Sequence, residues 1–319
     1  MKLLKKTLML AAAAAGIAFG GMGTAHADSF ASSILIIDNF RLLHSDGTPF
    51  STADFVNLTG TNDAHATASL NGVFANDAQS FGILSGVNPD VANVTVGAPN
   101  PARPPNNFTP FPNPPPVPGT FGYADQNLTG SSIQIGMAPA GALAQTRADA
   151  SLAVNGMASG NSDVGTSTTF QFTLAAGDSM TVSFDANPYT QAYVSAGSSP
   201  TTNANARLSW SIQIIDLSTG LPVFTYAPNA LNAMSNVSRT DGFAGTTTYA
   251  PGTAAFLATT PILNATSTYQ ITIQHNTLAN ALQAQAVPEP ATLAIFGIGL
   301  LGMSAFGRRR KAGAAPEQA

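Results

Sequence analysis

Apolar and polar residues alternate at every second position in several runs of the chain, and this period limits the possible folds more than any other feature. In residues 204–214 the even-numbered positions are apolar and include Trp210, while the odd-numbered positions are polar. The same period surrounds Phe172, Val182 and Ile271. Such alternation is typical of strands with one face on a core and the other in water. The sequence therefore predicts an all-β protein, an antiparallel β-sandwich of jelly-roll-like type.

Turn-forming residues separate these runs. Residues 175–179 are predicted to join the Phe172 and Val182 strands as a hairpin. Residues 64–72 and 148–156 resemble one another, and both end in Asn-Gly, a dipeptide typical of hairpin turns. Two copies do not make a solenoid, so they indicate similar strands within one sandwich.

A proline-rich segment interrupts the pattern, with ten prolines between residues 99 and 118. Proline cannot donate a backbone hydrogen bond to a sheet, so residues 98–118 are predicted as a long surface loop or linker. The segment either leaves a single sandwich as an excursion or divides residues 28–98 from 119–286. We prefer the single sandwich, because the first piece is small and polar for a core of its own.

The body, residues 28–286, contains few charges and almost no basic side chains. It has 14 Asp and 5 Arg with no Lys and no Glu, which is a net charge of −9. A body without a basic patch is not expected to bind nucleic acid. The whole chain lacks cysteine, which excludes disulfides, a thiolate nucleophile and Cys-ligated metal.

Residues 1–27 have the three parts of a secretory signal peptide. Three lysines precede an uncharged apolar stretch, and Ala25 and Ala27 form a small-x-small cleavage site. Signal peptidase is therefore expected to cut after Ala27, so that the mature chain begins at Asp28. A retained N-terminal membrane helix is the alternative.

A second apolar segment, residues 291–307, lies near the C-terminus and carries no charge. A helix of that length spans about 25 Å, within the usable range for a bilayer. The cluster Arg308, Arg309, Arg310 and Lys311 follows directly. By the positive-inside rule this cluster stays in the cytoplasm together with the tail, residues 312–319. The pattern predicts a transmembrane helix that tethers an exported body.

Pro288, Glu289 and Pro290 stand directly before this helix. The triplet, the apolar helix and the basic cluster, over residues 287–311, together resemble the PEP-CTERM sorting signal of exported bacterial proteins. The resemblance implies that an exosortase, a transpeptidase-like membrane enzyme, recognises the triplet and cuts near it. It further implies transfer from the inner membrane to the cell surface or matrix, and association with exopolysaccharide and biofilm. A plain C-terminal anchor that is never processed is the alternative.

The body contains no motif that specifies an enzyme. Gly177-Asp178-Ser179 resembles the nucleophile block of GDSL-type esterases, but no Asp stands three residues before His275. A glycosidase needs two carboxylates, and no spacing among the aspartates selects a pair. We therefore expect a non-enzymatic protein with no catalytic residue. A secreted hydrolase acting on glycans or esters is the alternative.

Candidate binding residues are equally scattered, and we expect no cofactor and no metal. His44, His65 and His275 are not at metal-ligand spacing, although folding could assemble them, and His275 is predicted at the core edge, where its strand ends. Residues 125–127 and 161–163 are predicted loops whose oxygens could bind Ca²⁺.

Two tyrosines are candidates for contact with a sugar. Trp210 is predicted in the core from its position in the alternation. Tyr189 and Tyr249 are predicted in loops, where they could stack against a sugar ring. Packing is the more common role of such tyrosines.

Overall fold

The computed structural model describes residues 28–111, 119–153, 156–164, 168–196, 201–240 and 243–283. For residues 161–164 and 168 it describes the backbone alone. All of these residues lie in the first of the chain's two units, Met1–Ala284. The predicted signal peptide, sorting triplet, membrane helix and basic cluster lie outside the described residues.

The described residues form fifteen strands and three short 3₁₀ turns. The turns are Thr52–Asp54, Asn229–Leu231 and Ala233–Ser235. The strands, in chain order, are β1 Ser29–Leu43, β2 Phe55–Leu70, β3 Val73–Gly82, β4 Asp90–Pro99, β5 Gly119–Thr129, β6 Ala142–Leu152, β7 Gly156–Val164, β8 Thr168–Leu174, β9 Asp178–Val194, β10 Asn203–Asp216, β11 Leu221–Tyr226, β12 Val237–Thr240, β13 Gly245–Tyr249, β14 Ala254–Leu263 and β15 Tyr269–Gln283.

The strands make two sheets in which every pairing between them is antiparallel, so the predicted all-β class is confirmed. Sheet I has seven strands in the order β13-β9-β1-β6-β5-β4, and β14 also pairs with β9. Sheet II has eight strands in the order β11-β10-β15-β7-β2-β3, and β12 also pairs with β10. Strand β8 lies between β15 and β2 as β7 does, beside earlier residues of β2 and of β15.

The sheets pack face to face, and aromatic side chains fill one half of the space between them. The ring centroid of Trp210 lies 4.5 Å from that of Phe184 and 6.3 Å from that of Phe40. Trp210 is 1% exposed, which confirms its predicted place in the core. Phe172 and Tyr269 of sheet II belong to the same cluster. Burying one such side chain contributes about 1.5–3 kcal/mol, so this half holds the sheets together.

Alanine side chains fill the other half of the space between the sheets, so the backbones of the two sheets lie in contact there. Its members are Ala31, Ala148, Ala150 and Ala192 of sheet I with Ala158, Ala204, Ala206, Ala279 and Ala281 of sheet II. A Cβ atom on Gly160 of β7 would lie 2.0 Å from the carbonyl oxygen of Tyr123. A Cβ atom on Gly122 of β5 would lie 2.3 Å from the carbonyl oxygen of Ser159. The close approach therefore requires glycine at both positions.

The turn residues noted in the sequence do not all form hairpins. Residues 175–177 lead from β8 in sheet II to β9 in sheet I, so the hairpin predicted at 175–179 is wrong. Asn71 and Gly72, both with positive φ, do turn β2 into β3 as an Asn-Gly hairpin. The second copy, ending at Gly156, instead leads from β6 in sheet I to β7 in sheet II. Alternation identifies a strand, but it does not show which of the two sheets the strand joins.

The proline-rich segment connects two strands of one hairpin. Strands β4 and β5 pair from Asp90 with Asn127 to Pro99 with Gly119. Strand β1, which precedes the segment, pairs with β6 and β9, which follow it. Strands from both sides of the prolines therefore share each sheet.

Candidate functional site

Residues 100–111, here called the proline-rich cover, lie against the outer face of sheet I. The ring of Phe111 meets that of Phe30 edge-on, at 4.9 Å between centroids. Arg147 Nη1 donates hydrogen bonds to the carbonyl oxygens of Asn107, at 2.8 Å, and of Thr109, at 2.6 Å. Residues 100–111 contain no strand, and an arginine ties them to the sheet. The predicted loop began at Ala98, but Ala98 and Pro99 end β4.

The sheet face beneath the cover is polar and nevertheless buried. Ser32 of β1 stands opposite Gln191 on one side and Asp149 on the other, and Asp149 stands opposite Tyr123. Directly opposed residues of antiparallel strands project to the same side of the sheet. All four side chains are 0% exposed. Polar side chains on the outer face of a sandwich normally hydrogen-bond to water. These side chains are buried, so their polar atoms need other partners.

Part of this buried polarity is satisfied inside the protein. Arg147 Nε donates to Asp149 Oδ2 at 2.6 Å, and Ser32 Oγ donates to Asp149 Oδ1 at 2.6 Å. The Tyr123 hydroxyl donates to Asp125 Oδ2, also at 2.6 Å. Burial raises the pKa of both Tyr123 and Asp125. Removing one member of the buried Arg147–Asp149 pair would cost about 3–5 kcal/mol.

Several other polar atoms here have no hydrogen-bond partner among the residues that the structure describes. The unpartnered buried atoms are Nε and Nη2 of Arg103, Nη2 of Arg147, and both amide atoms of Gln191. The Arg103 guanidinium lies 3.5 Å from the ring centroid of Phe111, and the Arg147 guanidinium lies 5.3 Å from it. Burial, followed by the charge of Arg147, lowers the pKa of Arg103 to about 10. We call Arg103, Arg147 and Gln191 the arginine site.

A second ionisable cluster lies at the end of β1. His44 Nδ1 is 2.7 Å from Asp178 Oδ2, and His44 Nε2 is 3.3 Å from Asp54 Oδ2. The imidazole also stacks on Phe50, at 3.7 Å between ring centroids. Both ring nitrogens are thus engaged by carboxylates, which suits a protonated histidine and leaves neither nitrogen to activate a nucleophile. We call His44, Asp54 and Asp178 the His44 clasp.

Titration of the His44 clasp follows from its contacts. Burial is the largest influence and lowers the pKa of His44, but hydrogen bonds to Asp178 and Asp54 raise it overall above 6.5. For both carboxylates burial raises the pKa, and hydrogen bonds from Ser51 to Asp54 and from His44 to Asp178 outweigh it and lower the pKa below 3.8. The carboxylate contribution is lost as pH falls through the lowered pKa values. The histidine contribution is complete below pH 6.5 and lost as pH rises through its raised pKa.

Replacing His44 by glutamine should therefore reduce stability most at about pH 5 to 6, and less at pH 8. The clasp is partly exposed, so the pH-dependent part is about 1 kcal/mol or less. Urea unfolding of the wild type and of His44→Gln at these pH values measures the difference. Loss of the Phe50 contact shifts all values equally, so a difference that does not vary with pH would contradict the clasp.

The esterase-like residues do not come together. His275 is 2% exposed, lies 2.9 Å from Thr146 Oγ1 through Nε2, and also bonds to the backbone of Leu35. Burial lowers the pKa of His275 to about 3, so it is neutral at ordinary pH. Asp178, beside Ser179, bonds to His44 instead. His275 was predicted at the end of its strand, but β15 continues to Gln283.

Three other predicted sites are corrected by the strand assignments. Residues 125–127 lie in β5 and residues 161–163 in β7, so neither is a loop that could wrap a calcium ion. Tyr189 lies in β9 and Tyr249 ends β13, and neither is in a loop. His65 is exposed on β2, whereas His275 is in the core. Within the described ranges, no group of three His, Asp or Glu side chains could hold a metal ion.

An apolar cavity of about 70 Å³ lies between the sheets. Its walls include Trp210, Phe170, Phe40 and His275, with Asn62 among the polar residues. These walls belong to the aromatic half of the core, so the cavity is a gap in the packing of side chains already described.

Comparison with known proteins identifies the C-terminal segment. Residues 286–311 match the PEP-CTERM protein-sorting motif. This confirms the predicted resemblance, and the motif implies an exported protein that an exosortase sorts through a membrane-anchored step. No curated protein and no solved structure matches the chain. Within the described part of the chain, no helix is long and apolar enough to cross a bilayer.

Proposed function

We propose that this chain is a non-enzymatic protein of the cell surface or extracellular matrix that associates with exopolysaccharide and biofilm. The observation that carries the proposal is the sorting motif at residues 286–311. In this proposal signal peptidase cuts after Ala27, and exosortase removes the tail near Pro288, Glu289 and Pro290. The body then acts outside the inner membrane.

The described surface supports association with a glycan. The outward positions of β10 and β15 carry Ser211, Gln213, Thr272 and Gln274, which can hydrogen-bond to hydroxyl groups without an ionic partner. The partners taken by His275 and Asp178 give no support to the esterase alternative. No arrangement of carboxylates among the described residues favours a glycosidase over a binding protein.

Retention of the secreted protein on the exopolysaccharide of its own host tests this function. The processed protein is expected to co-sediment with the polymer and to be released when the polymer is digested. A protein unfolded in urea and carried through the same procedure is the control. Lack of retention on any host polysaccharide would contradict the glycan role. Mass spectrometry of the recovered protein tests the processing separately, since an intact C-terminus in every molecule would contradict tail removal.

A further inference from the structure

The arginine site leaves buried hydrogen-bonding atoms without partners among the described residues. Gln191 is 0% exposed, and within the described part of the chain neither its amide nitrogen nor its amide oxygen has a partner. Gln126, the other buried glutamine among the described residues of sheet I, has a partner for each amide atom. Its oxygen accepts from the Val91 amide, and its nitrogen donates to the Pro89 carbonyl. An unpaired buried amide destabilises a fold. Gln191 therefore has no stabilising role in the free protein.

The charges at this site are also unbalanced. The body has five arginines and no lysine, yet Arg103 and Arg147 contact the same Phe111 ring. Asp149 is engaged by Arg147 Nε. Nη2 of Arg147 and two nitrogens of Arg103 have no hydrogen-bond partner among the described residues. Two neighbouring guanidinium groups with free N–H donors are the usual receptor for a carboxylate.

Aromatic side chains border the same residues. Tyr189 and Tyr193 flank Gln191 on β9 and project to the same side as it does. Both are half-buried, and Tyr189 lies close enough to Asp149 and Arg147 for their charges to act on its hydroxyl. An aromatic face packs against the C–H face of a sugar ring, while an amide pairs with sugar hydroxyls.

We propose that the arginine site binds an acidic sugar, with Arg103 and Arg147 holding its carboxylate and Gln191 its hydroxyl groups. This inference rests on the proposed glycan association and names the chemical class of the glycan. The ligand enters beneath the proline-rich cover, whose Pro101, Pro104 and Pro105 are exposed. The cover is tied down by Arg147, so binding is coupled to movement of residues 100–111.

Four variants of the full-length chain, purified in detergent, test the site. Gln191→Leu and Arg103→Gln alter it, and Arg147 is left intact because its pair with Asp149 is needed for folding. Gln126→Leu and Arg207→Gln are the matched controls, since Gln126 is buried but paired and Arg207 is exposed on sheet II. Thermal unfolding and calorimetric titration with oligogalacturonate, neutral dextran and the host exopolysaccharide are measured for each.

The expected pattern separates a binding role from a structural one. Gln191→Leu should raise the Tm by about 2–4 °C and abolish oligogalacturonate binding, whereas Gln126→Leu should lower the Tm. Arg103→Gln should weaken binding at least about tenfold, while Arg207→Gln should leave it unchanged. A lower Tm for Gln191→Leu, or equal binding of dextran and oligogalacturonate, would overturn the acidic-sugar site. Binding of the host polymer alone would overturn this inference and retain the proposed function, whereas no binding of any polymer would overturn both.

Discussion

Replacing Gly160 by alanine is expected to lower the free energy of unfolding by about 3 kcal/mol or more, because the added methyl group overfills the contact between the sheets. The new Cβ would lie 2.0 Å from the Tyr123 carbonyl oxygen and 2.8 Å from that of Asp149. Both obstacles are backbone atoms of hydrogen-bonded strands, so neither can rotate away. The sheets must separate locally, and separation opens gaps around the neighbouring alanines.

Chemical denaturation of Gly160→Ala and of two companions measures this effect. Gly122→Ala should be similarly damaging, since its Cβ would lie 2.3 Å from the Ser159 carbonyl oxygen. Gly82→Ala is the matched control, because that strand glycine has no atom closer than 3.9 Å to the added carbon and no positive φ. Equal stability of the Gly160 and Gly82 variants would show that the sheets do not touch in the alanine half.

The strands were largely predictable, but their assignment to sheets was not. Alternation around Phe172, Val182 and Trp210 depends only on which side of a strand is buried. In a sandwich both sheets bury one side, so the pattern is identical for either sheet. The connection at residues 175–177 was therefore predicted as a hairpin, although it leads from one sheet to the other. Turn residues allow a reversal of direction, and long-range packing selects the partner.

The arginine site was not predictable from the sequence for a related reason. Arg103 belongs to a proline-rich segment and Arg147 to a strand, and no local period connects them. Their meeting depends on the cover folding back over sheet I, which places Phe111 against Phe30. One signal was present in retrospect, because the strand 29–37 carries no charged side chain on either face and its polar side chains are three small serines. Such a strand is typical of burial on both sides.

The His44 clasp illustrates the same limit at shorter range. From the sequence, Asp178 was predicted in the turn at residues 175–179, and no pattern connected it to His44. The fold brings the end of β1 next to the start of β9, because these strands are neighbours in sheet I. Titratable contacts of this kind follow from strand order, which local pattern does not supply.

Replacing Glu289 by glutamine is expected to reduce tail removal by about 10- to 100-fold, the effect of losing one charged hydrogen bond in an enzyme's recognition pocket. Glu289 stands between two prolines, and its carboxylate is the distinctive group that the triplet offers to a recognising enzyme. Glu317 is the only other glutamate of the chain. Glu317→Gln makes the same chemical change beyond the basic cluster and is the matched control.

Fractionation of the producing cells separates the outcomes of this experiment. For Glu289→Gln most of the protein should stay in the inner membrane with an intact C-terminus, while Glu317→Gln should be processed like the wild type. Glu289 lies outside the described strands of the body, so the thermal unfolding of the body should be unchanged. Equal processing of both variants would mean that the enzyme does not recognise the Glu289 carboxylate. Recognition would then have to depend on the prolines and on the apolar segment that follows them, because those parts of the motif are the same in both variants.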